Sequence, residues 1–103
     1  MTAPAFDPIL HPPTRLQIAT VLANVDTAEF ARLREITGVS DSVLSKHLSA
    51  LVEADYVTLK KAALDGRQRT WVAFTRAGRK AFLAHTQALM ALVRQAERAA
   101  GPD

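Results

Sequence analysis

The residues able to do chemistry in this 103-residue chain are few and scattered. There is no cysteine, which removes thiol catalysis, disulfide scaffolds and cysteine-based zinc sites at once. The three histidines, His11, His47 and His85, have no further ligand three or four residues on, so no metal site is expected. Glu29, Glu35, Glu53 and Asp55 do not assemble with a nucleophile into an acid/base pair, and no glycine-rich phosphate loop is present. The expectation is therefore a protein that is not an enzyme and holds no cofactor.

Positive charge is what remains. The net charge is only +3, but between Tyr56 and Lys80 lie Lys60, Lys61, Arg67, Arg69, Arg76, Arg79 and Lys80, with Asp65 the single acid. A local basic patch on a nearly neutral body suits phosphate binding. It equally suits the solvated face of a hairpin and a helix start. A second group is chemically distinctive: Asp41, Ser42, Ser45, Lys46 and Ser49 share the polar side of one helical stretch. Solvated helix faces favour Glu and Lys ion pairs, whereas a face entering a DNA groove favours short donors that do not block approach. A merely polar surface is the competing reading.

The elements that must position these groups follow from periodicity and punctuation. Residues 1–12 carry Pro4, Pro8 and Pro12 and read as an irregular arm. Pro13 suits the first turn of a helix over roughly 13–24, apolar on more than one side through Leu16, Ile18, Ala19, Val21 and Leu22. Asp26 with Glu29 three residues on has the capping-box pattern and predicts the start of a short second helix ending at Gly38. Ser40 is a fresh N-cap, and Leu44, Leu48 and Leu51 place one apolar stripe on a third helix over about 41–54. Two short helices joined by so tight a glycine turn form a helix-turn-helix. Alternation then replaces the helical period, and Asp65-Gly66 predicts a β-hairpin over about 57–74. Trp71 would point outward from it, to stack on DNA, to close a small pocket or to pack on the stem of Lys60 or Lys61. Thr75 caps a last helix reaching about Ala99, in which Phe82, His85, Leu89, Leu92 and Ala96 follow a heptad seam suited to a partner helix. With Leu16 of the doubly apolar first helix, these are the expected dimer contacts. His85 beside its symmetry mate would make such a dimer pH-sensitive; a tolerated polar seam residue is the plainer reading.

This order of elements is that of a winged helix-turn-helix: mainly α with a small β-hairpin and a long C-terminal dimerisation helix, one domain over 13–99. Pro13-Thr14-Arg15-Leu16, the run from Gly38-Val39-Ser40 through Ser45-Lys46-His47-Leu48-Ser49-Ala50-Leu51, and Thr75-Arg76-Ala77-Gly78-Arg79 resemble short single-domain regulators of the MarR and ArsR type. The resemblance covers residues 10 to about 90. It implies a homodimeric transcriptional regulator on pseudo-palindromic double-stranded DNA, with the third helix in the major groove and the wing at the adjacent minor groove or backbone. It implies contacts from Ser40, Ser42, Val43, Ser45, Lys46 and Ser49, with Arg67 at the wing tip. Lys60, Arg69 and Arg15 would add phosphate contacts. The family usually has Ala-Gly before the wing. Here the pair is Ala54-Asp55, so Asp55 must take the turn that glycine makes easily.

Neither a secretory leader nor a run of 18 apolar residues is visible, so a cytoplasmic protein away from membranes is expected. A small-molecule effector is compatible with the family, and only an apolar pocket between the first and last helices could hold one. The alternative to DNA binding is a winged-helix module for protein–protein contact.

Overall fold

The structure is a computed structural model and describes residues 6–101. Helix α1 (Pro13–Leu22) starts on proline, whose fixed φ and missing N–H suit the first helical position. It buries Ile18, Ala19 and Leu22 and ends two residues short of the expected boundary. Strand β1 (Ala28–Glu29) follows, then α2 (Phe30–Thr37). Asp26 and Glu29 therefore do not form a capping box: Glu29 is extended and makes no side-chain cap. Ala28 and Glu29 instead pair antiparallel with Val72 and Trp71. A two-residue strand has no period of its own to read. Its hydrogen bonds come from tertiary pairing, which outranked the local cap pattern.

Gly38 closes α2 in the left-handed region, at φ 73°. Ser40 caps α3 (Asp41–Glu53), its hydroxyl accepting from the Val43 N–H at 3.3 Å. The elbow between the two helices is tied by Arg34, which donates to Asp41 at 2.8 Å. That contact holds the Arg34 guanidinium more firmly protonated than usual. Asp55 turns the chain out of α3 at φ 62°, a conformation aspartate tolerates better than most residues.

The wing is β2 (Val57–Leu64) and β3 (Arg67–Phe74), antiparallel, with Asp65 at φ 53° and Gly66 at φ 76° forming a two-residue turn of the type that matches strand twist. With β1 the sheet has three strands in the order β1-β3-β2, not two. Thr75 caps α4 (Arg76–Ala99): its hydroxyl accepts from Gly78 N–H at 2.9 Å and donates to the Asp55 carbonyl at 2.6 Å.

The core gathers Ile18, Leu22, Leu33, Leu44, Leu48, Leu51, Val57 and Val72, and also Leu10. Leu10 anchors the irregular arm of residues 6–12 to the core. The Asp7 carbonyl accepts from Leu10 N–H at 3.1 Å and His11 N–H at 2.9 Å, forming a turn that drives Leu10 fully inside. Residues 1–5 of that arm lie outside the described residues.

Candidate nucleic-acid interface

Helix α3 divides cleanly. Leu44, Leu48 and Leu51 are buried, and Ser42, Val43, Ser45, Lys46 and Ser49 are exposed. The division follows from the spacing of the leucines, which fixes the rotation of the helix about its axis. Ser40 stands at the end of the same face with its hydroxyl committed to the cap and 3.3 Å from that of Ser42. Beside this face runs a cleft of about 350 Å³ between α3 and the wing, lined by Phe30, Ser45, Leu48, Ser49, Leu59, Lys61 and Thr70.

Strand parity decides which wing residues look into that cleft. Val57 is buried, so Leu59 and Lys61 share its side, with Val72 and Thr70 opposite them on β3. Lys60 lies on the reverse side, paired with Trp71. Lys60, expected as a phosphate contact, therefore faces away from the cleft, and it is Lys61 that lines it. Counting by twos from Val57 would have found it. Trp71, half-buried between Lys60 on one strand and Glu29 on the other, has the cross-strand surroundings that account for it.

Arg69 too departs from expectation. It sits diagonally from Glu29 on that reverse face and donates to both carboxylate oxygens, at 2.9 and 3.1 Å. Both side chains are largely covered, and the Arg69 Nε has no partner. Its guanidinium ties the wing to β1 and is not free for phosphate. Arg69→Ala is expected to cost about 1–2 kcal/mol in urea unfolding, between the exposed and buried limits for ion pairs. The salt dependence of DNA binding should be unchanged by it; a shallower slope would return Arg69 to the interface. Lys46, Lys61 and Arg67 are exposed and form no salt bridge among the described residues.

His47, on the flank of α3, accepts from Arg15 Nε at 3.2 Å, while Arg15 Nη1 donates to the Ile9 carbonyl at 3.0 Å. Burial, and then the Arg15 charge, push the His47 pKa down. Arg15 thus has an internal task in place of the phosphate contact expected of it.

The expected dimer seam is corrected at His85. His85 is fully buried inside the protomer. Phe82 packs tilted on Phe74, ring centroids 6.0 Å apart, and Leu89 is half-buried. Leu16 is likewise half-buried, and Leu92 and Ala96 are exposed. The outward apolar stripe of α4 is Leu83, Met90 and Val93, with Leu83 60% exposed and Met90 52%, while Leu92, also exposed, stays on the expected seam about half a turn round the helix from Leu83. That stripe is rotated by about one residue from the heptad reading, because α4 turns Phe82, His85 and Ala88 toward its own protomer.

Among the described residues there is no cluster of three or more potential metal ligands, and no helix is long and apolar enough to cross a membrane.

Residues 14–93 match the winged helix DNA-binding domain family, and the chain belongs to it. It is 30% identical over 89 residues to an uncharacterized protein of Methanocaldococcus jannaschii, covering 86% of this chain and 97% of that one. A transcriptional regulator homologue from Pyrococcus horikoshii OT3 superposes with a TM-score of 0.81 at 26% identity, covering 86% of this chain and 88% of that one. A MarR family transcriptional regulator from Silicibacter pomeroyi shares the fold at a TM-score of 0.67 and 21% identity, over 84% of this chain and 56% of that one. The winged-helix, MarR-like architecture expected from the sequence is the one found.

Proposed function

We propose that the protein is a homodimeric transcriptional regulator that places α3 in the major groove of double-stranded DNA and the wing along the adjacent backbone or minor groove. One observation carries this reading. Ser45 and Ser49 of the exposed hydroxyl face of α3 line one cleft with Lys61 of the wing and no acid, while Lys46 stands exposed on the same helix and Arg67 at the wing tip, none of the three cations in a salt bridge among the described residues. Lys46, Lys61 and Arg67 supply phosphate contacts. Ser42, Ser45 and Ser49 reach base edges or phosphates, and Val43 meets a thymine methyl. Serines discriminate bases poorly beside a bidentate arginine, so sequence preference rests partly on DNA shape and on the spacing of two half-sites. The second recognition helix comes from a second copy seated on Leu83, Met90 and Val93 of α4, with Leu92 beside Val93. A regulator of this kind works in the cytoplasm.

Fluorescence anisotropy with random-sequence duplex DNA across a salt series tests the reading. Each of Lys46→Ala, Lys61→Ala and Arg67→Ala is expected to weaken binding and to reduce the salt slope by about one unit. Lys60→Ala, on the reverse face, should leave the slope unchanged. Binding undetectable at low salt would sink the proposal and leave a winged-helix module for protein contact, because a sequence-reading regulator retains non-specific affinity there.

A further inference from the structure

All three histidines of the chain connect to the N-terminal turn: a hydrogen-bonded path runs from Asp7 N–H through His85 to His11, and His47 on α3 is reached separately, through the Ile9 carbonyl and Arg15. The path starts at a group that can only donate. Asp7 N–H donates to His85 Nδ1 at 2.9 Å, which fixes that nitrogen as an acceptor and puts the His85 proton on Nε2. Nε2 faces His11 Nδ1 at 3.4 Å, so this second nitrogen is an acceptor too. His85 cannot add a proton at Nδ1 without setting N–H against N–H. On the separate branch, His47 Nδ1 accepts from Arg15, a side chain that never gives up its charge.

The turn is held at three further points. The Asp7 carboxylate accepts from Ile9 N–H at 2.8 Å and from the Tyr56 hydroxyl at 2.5 Å. That second bond pushes the Tyr56 pKa up to about 12. Phe6 sets its ring against both His11 and His85, with centroids 5.4 and 5.8 Å away. Arg15 then bridges the Ile9 carbonyl to His47. One guanidinium therefore joins the N-terminal turn to the recognition helix.

We propose that the turn Asp7–His11 is an acid-released strap: docked on α4 it positions the recognition helix through Arg15, and protonation of His85 lifts it away. The titratable groups around His85 are Asp7 and His11 from the turn itself, with the Tyr56 hydroxyl, between α3 and β2, reaching Asp7. The Asp7 carboxylate favours a charged His85. Burial and His11 oppose it and prevail, so the His85 pKa lies below its ordinary 6.5. The docked state accordingly binds fewer protons than the released one. Docking is fully favoured above about pH 6.5 and weakens as the pH falls below that value. Leu10, buried in the core, serves as the pivot on which the turn swings. The proposal rests on the DNA-binding reading only for its functional consequence.

The test is amide hydrogen exchange by NMR on the full chain, with DNA anisotropy alongside, from about pH 7.5 to about pH 5.5. Protection of the Leu10 and His11 amides is expected to fall with pH, together with that of α3 amides around His47. DNA affinity should drop by about fivefold or more over the same range. His85→Asn keeps an oxygen at the Nδ1 position to accept from Asp7 and cannot titrate, so its turn should stay docked. Tyr56→Phe removes one tether and adds no titrating group; its release should move to higher pH. A turn that stays protected in acid overturns the strap, and so does release that leaves α3 protection unchanged. DNA affinity that holds or rises on acidification also overturns it, since extra positive charge alone would strengthen phosphate binding. A protein that binds no DNA at neutral pH would strike the functional reading alone, and the exchange result would still decide the strap.

Discussion

Gly78→Ala is expected to lower the unfolding free energy by about 3 kcal/mol, the upper part of the range for forcing a methyl into packed surroundings. The residue sits in the first turn of α4, where the helix crosses the backbone of Tyr56. A Cβ there would overlap the Tyr56 carbonyl oxygen and lie 2.8 Å from the carbonyl carbon and 2.9 Å from Cα. All three atoms are main chain and cannot rotate aside. The Tyr56 carbonyl is also held in place, accepting from Thr75 N–H at 3.0 Å. Relief therefore needs α4 to retreat as a body, loosening Phe82 and His85 behind it. For a domain of this size the midpoint of thermal unfolding should fall by about 10–20 °C. A midpoint within about 2 °C of wild type would show that α4 can slide off Tyr56 at little cost.

Leu48→Ala is expected to cost about 3 kcal/mol, because Leu48 is 1% exposed between α3 and the sheet and its removal leaves a cavity. Ser49→Ala, one residue on but turned outward, should change stability by less than about 0.5 kcal/mol. DNA affinity should respond in the opposite order: Ser49→Ala weakens binding, and the folded fraction of Leu48→Ala retains it. Urea unfolding with an unchanged slope, read beside anisotropy below the unfolding transition, checks both. Equal loss of affinity in the two variants would mean that the shape of α3, not its hydroxyl face, limits binding.

What the sequence made legible was whatever has a local cause. Gly38, Ser40, Thr75 and the pair Asp65-Gly66 each act through their own backbone, and each sits where its chemistry put it. The leucine spacing likewise oriented α3 without reference to anything else. The misreadings share a different cause. Glu29 obeyed a cap pattern, yet its carboxylate had a partner forty residues away in Arg69. His85 kept heptad spacing, yet the N-terminal turn that covers it comes from the far end of the chain. The tightness at Gly78 was carried in a motif whose reason became visible only against Tyr56. Lys60 was different: its side was already fixed by the alternation from Val57, and only the counting was missed.

The wing has a consequence for how its length can vary across generations. Its turn spends only two residues and leaves no slack to absorb an insertion. One residue added or lost in β2 between Val57 and Lys60 would exchange the faces of Lys60 and Lys61, and move Leu59 out of the cleft. Two residues would restore the faces and displace the tip by one pleat, about 7 Å. Descendants of this gene that keep its interface should therefore lengthen or shorten this ribbon in even steps.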